Sequence, residues 1–147
     1  MKNKLLIFML VIISSLSHSQ NSYQRIYNYD EYHKDWALVK TTTGTFGFID
    51  RSGKIVVKPI YAKIGKFGEI KNDLALVKSI SKTYGLINKD GKEVVKTIYA
   101  HIGKFGEIVK DLALVKSITG TYGFIDKNGN EIVPVICYSI DEAKGRV

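Results

Sequence analysis

The side chains able to do chemistry in this chain return at fixed intervals, and ammonium groups lead them: Lys40, Lys78 and Lys116 stand 38 residues apart. A row of lysines can hold phosphate or carboxylate by charge-assisted hydrogen bonds. Asp35, Asp73 and Asp111 recur at the same interval. Mixed-sign rows of this kind are also what a solvated face carries, so the lysines read either as an anion-binding surface or as plain surface. Where copies differ, specificity is to be sought: Lys63 in one copy is His101 in the next and Ser139 in the third. Tyr23, Tyr27, Tyr29 and Tyr32 crowd one short stretch. They read as a cover for the exposed edge of a first repeat, or as rings on which a sugar stacks.

Catalysis finds little to work with. His18 falls in a leader, His33 lies among polar groups and reads as solvated, and His101 is the one histidine inside the repeats. No nucleophile–base pair and no metal-ligand spacing is visible, so no catalytic, cofactor-binding or metal residue is assigned and no cofactor is expected. The Asp/Asn-to-Gly loops Asp50–Gly53, Asn88–Gly91 and Asp126–Gly129 lack the converging oxygens and closing glutamate of a calcium loop. They suit turns, because the first side chain bonds its own backbone and the glycine takes the left-handed conformation.

The elements that must position these groups follow from the repeat itself. Asp35-Trp-Ala-Leu-Val-Lys40 returns as Asp73–Lys78 and Asp111–Lys116, and the first two copies agree at 23 of 38 positions. In the first copy Trp36–Thr42, Phe46–Ile49 and Lys54–Val57 read as three short strands. Thr43-Gly44 and Thr119-Gly120 turn the first strand into the second. Ser81-Lys82 lacks that glycine, which predicts a different or strained turn in the second copy. The stretches from Ile64 to Ile70 and Ile102 to Ile108 read as glycine-hinged bends whose apolar residues plug the space between units. The fold class is all-β, with tandem three-stranded meanders stacked as an open solenoid-like array; a closed trefoil-like barrel is the alternative.

Met1–Lys4 is basic, Leu5–Leu16 is apolar, and Ser17 and Ser19 are small residues at −3 and −1 of a cleavage site before Gln20. This is the pattern of a signal peptide over residues 1–19, too short for a membrane anchor. The remainder divides into a tyrosine-rich cap (20–34), repeats at 35–72 and 73–110, and a third repeat with a C-terminal cap (111–147). The formal charge of +8 includes Lys2 and Lys4, leaving 20 basic against 14 acidic residues after cleavage. That surplus favours anionic partners or serves solubility alone. Cys137 has no intramolecular partner and sits among Val135, Ile136 and Tyr138, so burial is expected, with pairing between chains as the alternative.

The unit resembles the WG-repeat family. The resemblance rests on Leu74–Lys78 and Tyr84-Gly85-Leu86-Ile87-Asn88-Lys89-Asp90-Gly91-Lys92-Glu93-Val94-Val95, with their equivalents in the other copies, and covers residues 35–147. Phe46, Tyr84 and Tyr122 stand where that family has tryptophan, Asp73 and Asp111 where it has glycine, and of its prolines Pro59 and Pro134 remain. The resemblance implies a β-repeat fold and no shared active site. The expected function is an exported, non-catalytic module for protein–protein interaction or envelope structure, in the periplasm, on the cell surface or secreted. The alternative is binding of an anionic glycan or envelope polymer through Lys40, Lys63, Lys78, Lys116, His101 and the four tyrosines. Neither nucleic acid nor a membrane span after signal cleavage is expected.

Overall fold

The computed structural model describes residues 22–147; the signal peptide read at 1–19 lies outside them. Among the described residues twelve strands form three four-stranded antiparallel sheets. The first sheet runs β1 (Tyr23–Tyr29), β2 (Trp36–Thr41), β3 (Phe46–Asp50) and β4 (Ile55–Tyr61). The second runs β5 (Lys63–Ile64), β6 (Leu74–Lys78), β7 (Tyr84–Asn88) and β8 (Glu93–Tyr99). The third runs β9 (His101–Ile102), β10 (Ala113–Lys116), β11 (Tyr122–Ile125) and β12 (Glu131–Cys137), followed by the short helix α1 (Ile140–Lys144).

Each three-strand meander thus gains an edge strand from the segment before it. In the first sheet the tyrosine-rich stretch supplies that strand, and the register sets Ile26 opposite Val39 as Ile64 faces Val77 and Ile102 faces Val115. Ile26 therefore aligns with Ile64 and Ile102. The three sheets are open, and among the described residues no barrel closes.

Burial shows why the sheets stack. A strand buried on both faces reads as a nearly continuous apolar run, and Trp36–Val39 is buried at every position. Leu38, Phe48, Val57 and Tyr61 of the first sheet pack against Ile64, Ala75, Val77 and Ile87 of the second. Leu86, Val95 and Tyr99 of the second meet Ile102, Ala113, Val115 and Ile125 of the third. At the far end Phe124, Val133 and Cys137 are closed over by Ala143 of α1. The Ser139 hydroxyl caps that helix by accepting from the Glu142 N–H at 3.0 Å, and the Glu142 carboxylate accepts in return from the Tyr138 N–H at 2.8 Å. Cys137 is fully buried, as expected, although Ile136 and Tyr138 beside it are exposed; it is Phe124, Val133 and Ala143 that enclose it.

The bends do plug the joints. Phe67 approaches the rings of Trp36 and Phe48 at 6.1 and 6.4 Å, and Phe105 and Ile70 pack against the second joint. His33 differs from its solvated reading: its ring stacks on Trp36 at 3.9 Å and meets Phe67 edge-on at 5.0 Å.

The turns obey local chemistry. The Asp50 carboxylate accepts from the N–H of Ser52 and of Lys54, Asn88 does the same for Asp90 and Lys92, and Asp126 for Asn128 and Asn130. Gly53, Gly91 and Gly129 all take positive φ, between 77° and 84°. The turn without glycine keeps the same geometry as its counterparts: Lys82 adopts φ 68° where Gly44 and Gly120 have 86° and 94°. A left-handed lysine costs roughly 1–2 kcal/mol, part of which glycine's greater freedom in the unfolded chain cancels. Lys82→Gly is therefore expected to stabilise the protein by about 1 kcal/mol, read as a higher denaturation midpoint at unchanged slope. An unchanged midpoint would show that this turn stores no strain.

The same side-chain hydrogen bond crosses each joint. The Tyr61 hydroxyl donates to Glu93 at 3.5 Å and the Tyr99 hydroxyl donates to Glu131 at 3.0 Å, each from one sheet to the next. The ends of the array drop the half that would be unpaired: Ile55 stands at the glutamate position of the first sheet and Cys137 at the tyrosine position of the third. Burial, reinforced by the neighbouring carboxylate, pushes both phenols from the ordinary 10 up to about 12. A group more weakly acidic in the folded state contributes fully below its unfolded value and loses that contribution as pH rises through its folded one. Stability is expected to fall between pH 10 and about 12. The fall should be shallower in the double variant Tyr61→Phe/Tyr99→Phe; identical pH profiles of melting temperature would refute the link.

Candidate functional site

Register brings together residues that the linear sequence leaves apart. One row of directly opposed residues crosses each sheet: Arg25, Lys40, Phe46 and Tyr61 in the first. Lys63, Lys78, Tyr84 and Tyr99 follow in the second, and His101, Lys116, Tyr122 and Cys137 in the third. The two variable positions, Lys63 and His101, therefore stand beside the lysine row, with Arg25 as their counterpart in β1. Arg25 is not legible in the sequence, because β1, β5 and β9 carry no strand signal of their own.

The charges are then separated. Asp35 and Asp73 lie at the opposite end of their strands from Lys40 and Lys78, five residues or about 16 Å away. Arg51 donates to Asp30 at 2.6 Å and to Asp35 at 2.9 Å, and Lys89 pairs with Asp73. The backbone N–H of Asp35 and the Arg51 guanidinium hold Asp30 below the ordinary carboxylate range, and Lys89 does the same for Asp73. At the other end, among the described residues, Arg25, Lys40, Lys63, Lys78 and Lys116 form no salt bridge. The lysines lie instead over rings, Lys40 over Phe46 at 5.9 Å, Lys78 over Tyr84 at 5.2 Å and Lys116 over Tyr122 at 5.3 Å.

Each row borders a recess. In the second sheet Lys63, Gly65, Glu69, Leu76, Lys78 and Tyr84 enclose about 240 Å³. The first sheet has its counterpart at Tyr27, Tyr32, Leu38 and Phe46, with Lys63 and Ile64 of the next sheet, about 200 Å³. The third has His101, Leu114, Lys116 and Tyr122, closed on one side by Ile140. The same leucine and ring positions recur in all three. Phe46, Tyr84 and Tyr122 are half-buried walls of these recesses, not fully interior.

The four tyrosines do not form one platform. Tyr27 and Tyr32 pack toward the first joint, whereas Tyr23 and Tyr29 cover Ala37, Val39 and Ile49 on the outer face of the first sheet. Tyr29 also donates to the Asp50 carbonyl at 3.2 Å beneath the Arg51 guanidinium. Among the described residues no three His, Cys, Asp or Glu side chains gather as a metal site.

Three sheets joined by the same contacts define a β-repeat module. The family model of the WG containing repeat matches residues 46–79, 84–117 and 122–142, and the chain belongs to the WG-repeat family. Each full match begins at the half-buried ring, ends just beyond the lysine, and so spans the joint between successive sheets. Comparison with curated proteins and with solved structures returns no match.

Proposed function

We propose that this chain is an exported, non-catalytic module that holds a protein partner as part of the bacterial envelope. The supporting observation is a repeated apolar exposure. Ile60, Ile98 and Ile136 occupy one position in β4, β8 and β12 and are 54–57% exposed, while the alternate residues Tyr61, Tyr99 and Cys137 are buried. The turn residues Ile80 and Ile118 are 71% and 74% exposed. Exposed aliphatic side chains at fixed positions are what a partner's apolar surface would cover. The signal-peptide pattern read at residues 1–19 supports the location, and the structural duties of the repeated residues support a role without catalysis.

The test is capture from the envelope fraction at low and high salt. One protein retained by the wild type under both conditions, and lost with Ile60→Lys/Ile98→Lys/Ile136→Lys, is expected. Retention unaffected by the triple variant, or turnover of an envelope component by the purified protein, would overturn this reading.

A further inference from the structure

The geometry points to a site for a carboxylated sugar in the second sheet, built from Lys63, Lys78, Tyr84 and Glu69. This goes beyond the apolar contact with a protein and rests only on the reading of the chain as a binding module.

Three observations carry it. First, Lys63 and Lys78 are direct partners across β5 and β6, and opposed like charges destabilise a sheet. The like-charged pair recurs as Arg25 opposite Lys40, and in the third sheet the position of Lys63 is taken by His101, opposite Lys116. At the other end of these strands Asp35 and Asp73 do have cationic partners, so the unpaired cations are a local feature. A carboxylate bridging the two ammonium groups would relieve the repulsion through charge-assisted hydrogen bonds.

Second, the pair opens on a recess of about 240 Å³ whose walls include Tyr84 and Leu76. A free phosphate has no use for an aromatic wall, whereas the C–H face of a pyranose stacks on one. Third, Glu69 borders the same recess, and a Cβ placed on Gly65 would come within 2.9 Å of its Oε2. That carboxylate can accept from sugar hydroxyls and repels a dianion. Two cations, one acceptor and one ring together select a monoanion that also carries hydroxyls, which describes a uronate unit. No bond is made or broken.

The experiment is calorimetric titration of the protein with a galacturonic acid trisaccharide, the neutral galactose trisaccharide and inorganic phosphate. Saturable binding of the uronate is expected, with the other two at least tenfold weaker. Lys63→Gln/Lys78→Gln should weaken the uronate at least tenfold while melting at or above the wild-type temperature, since repulsion is removed and the fold kept. Equal binding of phosphate, unaltered uronate binding by the double variant, or no uronate binding would each overturn the site. If the uronate fails while a protein partner is captured, the module reading stands without this site. If the sugar is cleaved, the non-catalytic reading falls and the site stands.

Discussion

Gly85→Ala is expected to destabilise the protein by about 3 kcal/mol, the upper end of the usual cost of forcing an atom into a filled space. Gly85 does not need a positive φ; it needs to have no side chain. Opposite it, β8 bulges: Tyr84 faces Tyr99 and Leu86 faces Val95. Between those pairs Gly85 alone lies against Lys96, Thr97 and Ile98, and the bulged backbone lies on the glycine. A Cβ there would collide with the Val95 carbonyl oxygen and stand 2.9 Å from the Lys96 carbonyl carbon and the Thr97 nitrogen. These are backbone atoms of an edge strand that carries Tyr99 into the second joint, and they cannot yield without loosening it. Gly47 and Gly123 meet the same obstruction from β4 and β12. The control is Gly103→Ala, whose added carbon finds nothing nearer than 3.5 Å at an ordinary φ and should cost little. Equal melting temperatures for the two variants would sink the argument.

That glycine marks the limit of what can be read from the chain alone. The Asp50, Asn88 and Asp126 turns were legible because their hydrogen bonds stay within four residues of sequence. The aromatic-glycine pair was legible as a recurring motif, but its cause was not, since the obstruction comes from a strand ten residues further on. β5 and β9 were missed because two residues ahead of a glycine carry no period, and with them went the pairing of Lys63 with Lys78 and of His101 with Lys116. The lysine and aspartate rows were visible in sequence as neighbours. The strand between them separates the two signs and pairs Asp35 and Asp73 with turn cations.

The Tyr–Glu contact across each joint links residues 32 apart. Its signal was present as two complementary substitutions, Ile55 for glutamate and Cys137 for tyrosine. Such a pair becomes readable only when the sheet, and not the sequence motif, is taken as the unit. The family match, which runs across the joint, has the same lesson: the recurring object is a contact between layers together with the strands on either side.

Phe48→Ala is expected to cost 3–5 kcal/mol, the usual range for emptying a buried aromatic site, and to open the array unevenly. Phe48 is fully buried. Its ring lies 5.6 Å from Trp36, 6.1 Å from Tyr32 and 6.4 Å from Phe67, so one side chain ties together the cap, the first sheet and the bend of the second. Leu86 and Phe124 hold the same position in the other sheets. Phe48→Leu, which copies the second sheet, should therefore cost less than alanine, though still something, because Trp36 is shaped against a ring. In a stacked array each layer contacts its neighbours alone, so stability is a sum of layer and joint contributions. Loss at the first joint should release hydrogen-exchange protection in β1–β4 first and leave β10–β12, beyond an intact second joint, protected. Uniform loss of protection across all three sheets would show instead that the joints couple the whole chain into one cooperative unit.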